Sequence, residues 1–310
     1  MPRQGFFFCF RMHIIFYRNK QSKEGSTLDD KQEILREFAD RLLPEKIRSR
    51  LESAAKTLPG GRVLRAGKTS QGRDVWMLTA GNLDRAVLYA GGVHAQEGIT
   101  SEVLLLFAEY LQQGMEGENI FLVRRESFWN RAGLVLLPCL NPDGILMAHP
   151  GWQANARGVD LNHNFDAGWE ACKKWEEEAG ILGPGPTKYG GRKPFSEPES
   201  CLIKRLCNRR KFLRMIAFHS QGEEIYAGHG EKCDDTTATL GQLMEKLTGY
   251  RLCQPSESAS HGGMKDWFYD TFHRPAYTLE IGKGCNPLPL QQAEEIFLQL
   301  RKLLLLFPLL

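Results

Sequence analysis

The chain has 310 residues, 42% of them hydrophobic and 25% charged, with a formal charge of only +3. That balance is ordinary for a folded globular domain and excludes a disordered or collagen-like chain. A charge this small gives no ground for nucleic acid or an anionic membrane as partner, and the short basic cluster at 208–211 reads as solvated surface.

In chain order, residues 1–20 carry an apolar run that Arg11 and His13 interrupt, with no small-residue cleavage site after it. The run fits a secretory signal poorly. Two readings stay open for it: an overlong reading frame with Met12 as the start, or a weakly membrane-associating tail. Residues 27–58 read as two helices, with stripes Ile34, Leu35, Phe38, Leu42 and Ile47, Leu51, Ala55, Leu58 on either side of Pro44. We therefore expect a tail and two-helix segment over 1–58 and one catalytic domain over 59–310.

From residue 74 the pattern alternates. Strands are expected at 74–81, 85–92, 133–141, 213–220 and 276–282. Helices are expected at 98–111, near 197–207, at 236–249, and through Ala293, Ile296, Phe297, Leu300 and Leu304; a Gly/Pro-rich loop region covers 180–197. Apolar strands interleaved with helices indicate an α/β fold, a mixed, mostly parallel twisted sheet flanked by helices on both faces. No run reaches the roughly 18 apolar residues of a spanning helix. The eight cysteines form no C-x-x-C pair and read as reduced thiols of a cytoplasmic protein.

In such sheets chemistry gathers beyond the carboxyl ends of the strands. His94, His219 and Glu280 all fall at predicted strand ends. His94 and Glu97 are three apart, so one turn can aim an imidazole and a carboxylate at one point, and zinc accepts both donor types. A lone histidine is more often packed or exposed than a ligand, so a third donor is needed. His219 is the natural candidate; His13, His149, His261 and His273 lack a comparable setting. Glu280 lies within an apolar strand, where a carboxylate is costly. It is either one half of a buried ion pair or a catalytic base.

The segments GGVHAQE, NPDG (141–144), RGVDLNHNF (157–165), FHSQG (218–222) and GGMKDWFYD with YTLEIG (262–282) together resemble the successive motifs of the zinc metallocarboxypeptidase family. The segment HNFDAGWE with GPTKYGG (185–191) and SEPES is similar to the bacterial branch of γ-D-glutamyl-L-diamino acid endopeptidases, which trim murein peptides. The resemblance implies one zinc ion held by His94, Glu97 and His219, with Glu280 as general base and proton shuttle. It implies a short, cell-wall-derived peptide as substrate, no nucleic acid and no firm membrane association.

The chain departs from the family pattern on the substrate side. Gln153 stands where the family has an oxyanion-stabilising arginine, and Arg157, four residues on, is the expected substitute. Asn162-His163 replaces the Asn-Arg pair that grips a terminal carboxylate, Gln96 replaces an arginine, and Ser258 replaces a tyrosine. Lys265 occupies the floor of the expected specificity pocket, where an ammonium favours an anionic group such as the second carboxylate of diaminopimelate, unless it points to solvent. Asp160 and Asp143 are expected in supporting roles. Three rivals stand beside the murein reading: a carboxypeptidase on ordinary peptides, an aspartoacylase-type deacylase, and an inactive peptide-binding relative.

Overall fold

A computed structural model of the chain describes residues 27–113, 125–230, 232–254 and 261–310. The N-terminal run discussed above and Ser258 lie outside the described residues.

Two helices open the fold. The first, α1 (Leu28–Arg41), starts from a capping box in which Thr27 and Asp30 satisfy each other's backbone N–H. Pro44 is the first residue of α2 (Pro44–Ala55), where its missing N–H costs nothing. Their apolar stripes, Phe38 and Leu42 with Ile47, Leu51 and Ala54, join the same core as the sheet.

Eight strands follow: β1 (Arg62–Lys68), β2 (Asp74–Gly81), β3 (Ala86–Ala90), β4 (Gly133–Leu137), β5 (Met215–His219), β6 (Glu224–Ala227), β7 (Arg251–Cys253) and β8 (Ala276–Glu280). They form one sheet in the order β1-β2-β4-β3-β5-β8-β6-β7. The four central strands, β4, β3, β5 and β8, run parallel, and antiparallel pairings join β2 and β6 to their outer sides. Although β2 and β3 are separated by one short turn, β4 lies between them in the sheet.

Side chains alternate between two cores. Val87, Tyr89, Ile216, Phe218, Tyr277 and Leu279 face one layer, which contains α1, α2, α3 (Gly98–Gln112), α8 (Asp235–Thr248) and α10 (Ala293–Leu306). Leu88, Ala90, Met215 and Ala217 face the other, against α7 (Pro198–Arg209) and α9 (Met264–Phe272). Burial on both faces is why these strands read as continuous apolar runs.

Three shorter helices complete the frame: α4 (Arg125–Arg131), α5 (Pro142–Met147) and α6 (Trp169–Glu178). Because β4 is reached to one side of β3 and β5 to the other, chain order reverses at β3. Crevices open at such reversals, beyond the strands' carboxyl ends.

Candidate metal centre

Leaving β3, the chain turns at once. Gly92 adopts φ +59°, and a Cβ there would stand 2.5 Å from Ser101 Oγ and 2.9 Å from Cys139 Cα. Only glycine fits both the backbone angle and the space. Asn141, the N-cap of α5, fixes the turn from outside: its side-chain amide donates to Val93 O at 3.1 Å, and its carbonyl accepts from Gly144 N at 2.9 Å. Asp143 is fully buried and accepts from Gln71 N and Arg73, so it ties the β1–β2 hairpin to α5.

The turn delivers His94, and one further turn brings Glu97 to the start of α3. His94 Nδ1 lies 2.8 Å from Glu97 Oε1. His219, the last residue of β5, sets its own Nδ1 3.2 Å from His94 Nδ1 and 3.2 Å from Glu97 Oε2. The three donor groups lie within 4.8 Å of one another, and no other such cluster occurs among the described residues. His94, Glu97 and His219 thus meet in space although 125 residues separate the two histidines.

Two imidazole nitrogens and a carboxylate converging this closely are poorly satisfied by each other, since at most a few protons are available among several lone pairs. The other nitrogen of His219, Nε2, is buried with no hydrogen-bond partner among the described residues. A divalent ion resolves that arrangement, and the donor set fits zinc. The far nitrogen of His94 has the outer partner that metal-binding histidines usually have: Nε2 lies 3.1 Å from Asp160 Oδ1.

The charges are strongly coupled. Burial opposes charging the His94 ring, yet Glu97 and Asp160 outweigh it and hold its pKa well above the imidazole range. Burial likewise works against the Glu97 carboxylate, but the two histidines bring its pKa down to about 2.

Glu280 ends β8 directly opposite His219 in the parallel register, and Glu224 of β6 faces it from the other side. Burial first, then the charges of Glu97 and Glu224, push its carboxyl well above the ordinary range. No cation is hydrogen-bonded or ion-paired to it among the described residues, so the ion-pair alternative raised by the sequence is not realised.

The substrate-side candidates are placed less uniformly. Gln153 lies next to the site, since its carbonyl accepts from Ala95 N at 2.9 Å and its side chain bonds Thr187. Asn162 donates its N–H to Asp160 and accepts from Met264 N at 3.1 Å. His163 is taken up by Cys172 Sγ at 3.1 Å and stacks on Trp175. Burial, only partly offset by Asp160, lowers its pKa, so it is a neutral ring.

Two expectations change. Arg157 does not reach the cluster: its guanidinium is half-exposed and faces Glu197 at 3.8 Å, because Asn155 caps the intervening turn and directs the chain outward. Lys265 neither points to solvent nor stands free in a pocket. It is 4% exposed, and its ammonium is held by Asp266 and by Gly228 O at 2.6 Å.

The model of the zinc carboxypeptidase family matches residues 47–299. The chain belongs to the zinc carboxypeptidase family. It is 32% identical to γ-D-glutamyl-L-diamino acid endopeptidase 1 of Lysinibacillus sphaericus over 70% of this chain and 59% of that protein, and so spans little more than half of that relative's length. Among solved structures, bovine thrombin-activatable fibrinolysis inhibitor superposes with a TM-score of 0.69 at 19% identity, covering 88% of this chain and 97% of that one. Murein-tripeptide amidase of Escherichia coli O157 superposes with a TM-score of 0.54 at 21% identity, covering 82% and 94%. These two likenesses concern the fold, and the family is zinc-dependent.

Sequence reasoning missed two groups. Glu224 could not be placed opposite Glu280 because β6 is too short to stand out. Lys188, although inside the GPTKYGG stretch that carries part of the resemblance, and Cys172 gave no signal of their contacts with Asp160 and His163.

Proposed function

We propose that the protein is a zinc-dependent hydrolase of amide bonds in short peptides, with the γ-D-glutamyl to diamino acid bond of murein peptides as its target. His94, Glu97 and His219 would hold one zinc ion, and Asp160 would fix the ring of His94 through Nε2. The chemistry such an ion supplies when bound is Lewis acidity toward a carbonyl and toward water. Glu280 accepts a proton from the attacking water at its carboxylate and returns it to the departing amine. Burial beside other acids raises its pKa, which favours holding the proton until the amine departs. Gln153, tied to Thr187 and to Ala95, supplies a neutral donor or acceptor beside the reacting carbonyl.

The observation that carries this reading is the convergence of His94, Glu97 and His219 with Glu280 on the adjoining rung. The choice of bond is supported by the 32% identical relative, named for cleaving between γ-D-glutamyl and diamino acid residues. The neutral His163 also supports it, because no guanidinium is present there to demand a free terminal carboxylate.

The test pairs metal analysis with hydrolysis of L-Ala-γ-D-Glu-diaminopimelate beside a hippuryl amino acid. Release of the diamino acid from the first and none from the second is expected. Stoichiometric zinc without turnover of either would identify an inactive peptide-binding relative. Removal of single residues from ordinary peptides would identify a carboxypeptidase.

A further inference from the structure

Several cations of this region are already engaged. Arg157 faces Glu197, Lys265 is buried against Asp266 and Gly228 O, and Lys173 is paired with Glu176. Lys188 differs: it is exposed, and no carboxylate pairs with its ammonium among the described residues.

Its backbone is unusual as well. Lys188 adopts φ +68°, a left-handed conformation that is costly for a residue bearing a Cβ. Such strain persists only where the surroundings enforce it, and it clusters at ligand-binding positions. Here the enforcing bond is visible. Lys188 N donates to Asp160 Oδ2 at 2.9 Å, and the other oxygen of Asp160 meets His94 Nε2 at 3.1 Å. The residue therefore hangs from the carboxylate that orients a candidate metal ligand. Its ammonium lies 5.0 Å from the ring centroid of Trp175, and Trp175 stacks with His163 at 6.4 Å. Lysine, indole and imidazole form a half-open shelf beside Asp160, with the positive charge at its outer edge.

We propose that Lys188 is a specificity-determining residue whose ammonium, presented on the Trp175–His163 shelf, binds a carboxylate on the leaving side of the peptide substrate. The inference rests on the peptidase reading above and deepens it. Where the family pattern places arginines, this chain has Gln153 and His163, and the compensating cation comes from a loop distant in sequence. An ammonium on a rotatable stem tolerates a carboxylate in more than one position, unlike a guanidinium fork. That tolerance suits a substrate whose acid group is not the peptide terminus.

The test uses the full chain loaded with zinc, and L-Ala-γ-D-Glu-diaminopimelate as free acid and as the leaving-side amide. Lys188→Met should raise KM for the acid about two- to fivefold, the range for a solvent-edge ion pair. KM for the amide and kcat for both should not move, and Lys188→Arg should restore most of the loss. The preference for acid should also shrink as salt is added. Equal losses on both peptides, or a fall in kcat alone, would overturn the proposal, because they would mean that the residue acts only through its backbone bond to Asp160. A second measurement is independent of turnover: calorimetric binding of both peptides to Glu280→Gln protein, with and without Lys188→Met. Weaker binding of the acid alone upholds the role of Lys188 even if the parent protein hydrolyses nothing. No preference for acid over amide in the parent refutes it.

Discussion

Replacing Asp160 with Asn tests whether the second oxygen shell governs the metal site. Asp160 Oδ1 lies 3.1 Å from His94 Nε2 and accepts from Asn162 N at 3.1 Å, while Oδ2 accepts from Lys188 N at 2.9 Å. Three donors thus face a group that only accepts. An amide has one accepting end, so either orientation leaves a donor facing an NH₂. If the carbonyl stays toward His94 and Asn162, the Lys188 N–H loses its partner at a cost of about 1–3 kcal/mol. If it turns, His94 Nε2 must give up its proton, which moves to Nδ1 and blocks the atom that points at Glu97 and His219. In both cases the ring loses the carboxylate that strengthens it as a donor. Loss of such an outer partner typically costs about 10–100-fold in metal affinity, or about 1.4–2.8 kcal/mol. The measurement is zinc competition against a chromogenic chelator for the parent and Asp160→Asn, with urea unfolding of both zinc-free proteins in parallel. A variant that unfolds earlier yet binds zinc as tightly as the parent would refute the reasoning and leave Asp160 a purely structural anchor of residues 162 and 188.

Three further outcomes follow from the same geometry. Glu280→Gln should lower kcat by about 10²–10⁴, the usual worth of a general base, with zinc affinity unchanged in the chelator assay; a residual rate near that of the parent would remove Glu280 from the mechanism. Gly92→Ala should destabilise the fold by about 1–3 kcal/mol in urea unfolding, since the backbone angle is left-handed and the new Cβ meets Ser101 Oγ at 2.5 Å. Glu199 tests linkage: burial, aided by the charge of Glu197, raises its carboxyl pKa despite bonds from Ser70 N and Asn155. A carboxyl raised in the folded state favours the fold at acid pH and loses that contribution as pH rises through its folded value. The stability of the parent minus that of Glu199→Gln should therefore fall as pH rises from the ordinary carboxylate range through the raised folded value, and a constant difference would sink this account.

The strands that position the site were legible because they are buried on both faces. Residues 86–90, 215–219 and 276–280 are almost wholly apolar, and His219 and Glu280 end the second and third of these runs. The rest of the sheet was not. β1 is an edge strand carrying Arg62, Arg65 and Lys68, and β7 has three residues, so neither offers a hydrophobic signal. α9 was hidden for the opposite reason. Met264, Lys265, Asp266, Trp267 and Phe268 are all buried, so its first turn shows no polar face and no helical period. The charge of Lys265 is cancelled by its own neighbour, Asp266, a pairing that looks like two solvated residues in the sequence.

The same contrast separates the two halves of the candidate site. His94 with Glu97 is a local spacing, and His219 and Glu280 are strand ends whose facing register follows once β5 and β8 are adjacent. Their positions are fixed by the sheet, where a shift of one residue would turn every side chain to the other face. Arg157, Gln153 and Lys188 stand on loops, and His163 on a single 3-10 turn, whose paths are set by long-range bonds such as Gln153 N to Pro186 O and Lys188 N to Asp160. Proximity in sequence made Arg157 the obvious replacement for a missing arginine, but the turn capped by Asn155 carries it to Glu197. Lys188 lies 28 residues from Asp160 and is nevertheless bonded to it. A sheet-borne site can therefore stay intact while the loops around it change, so the departures from the family pattern cluster on the substrate side.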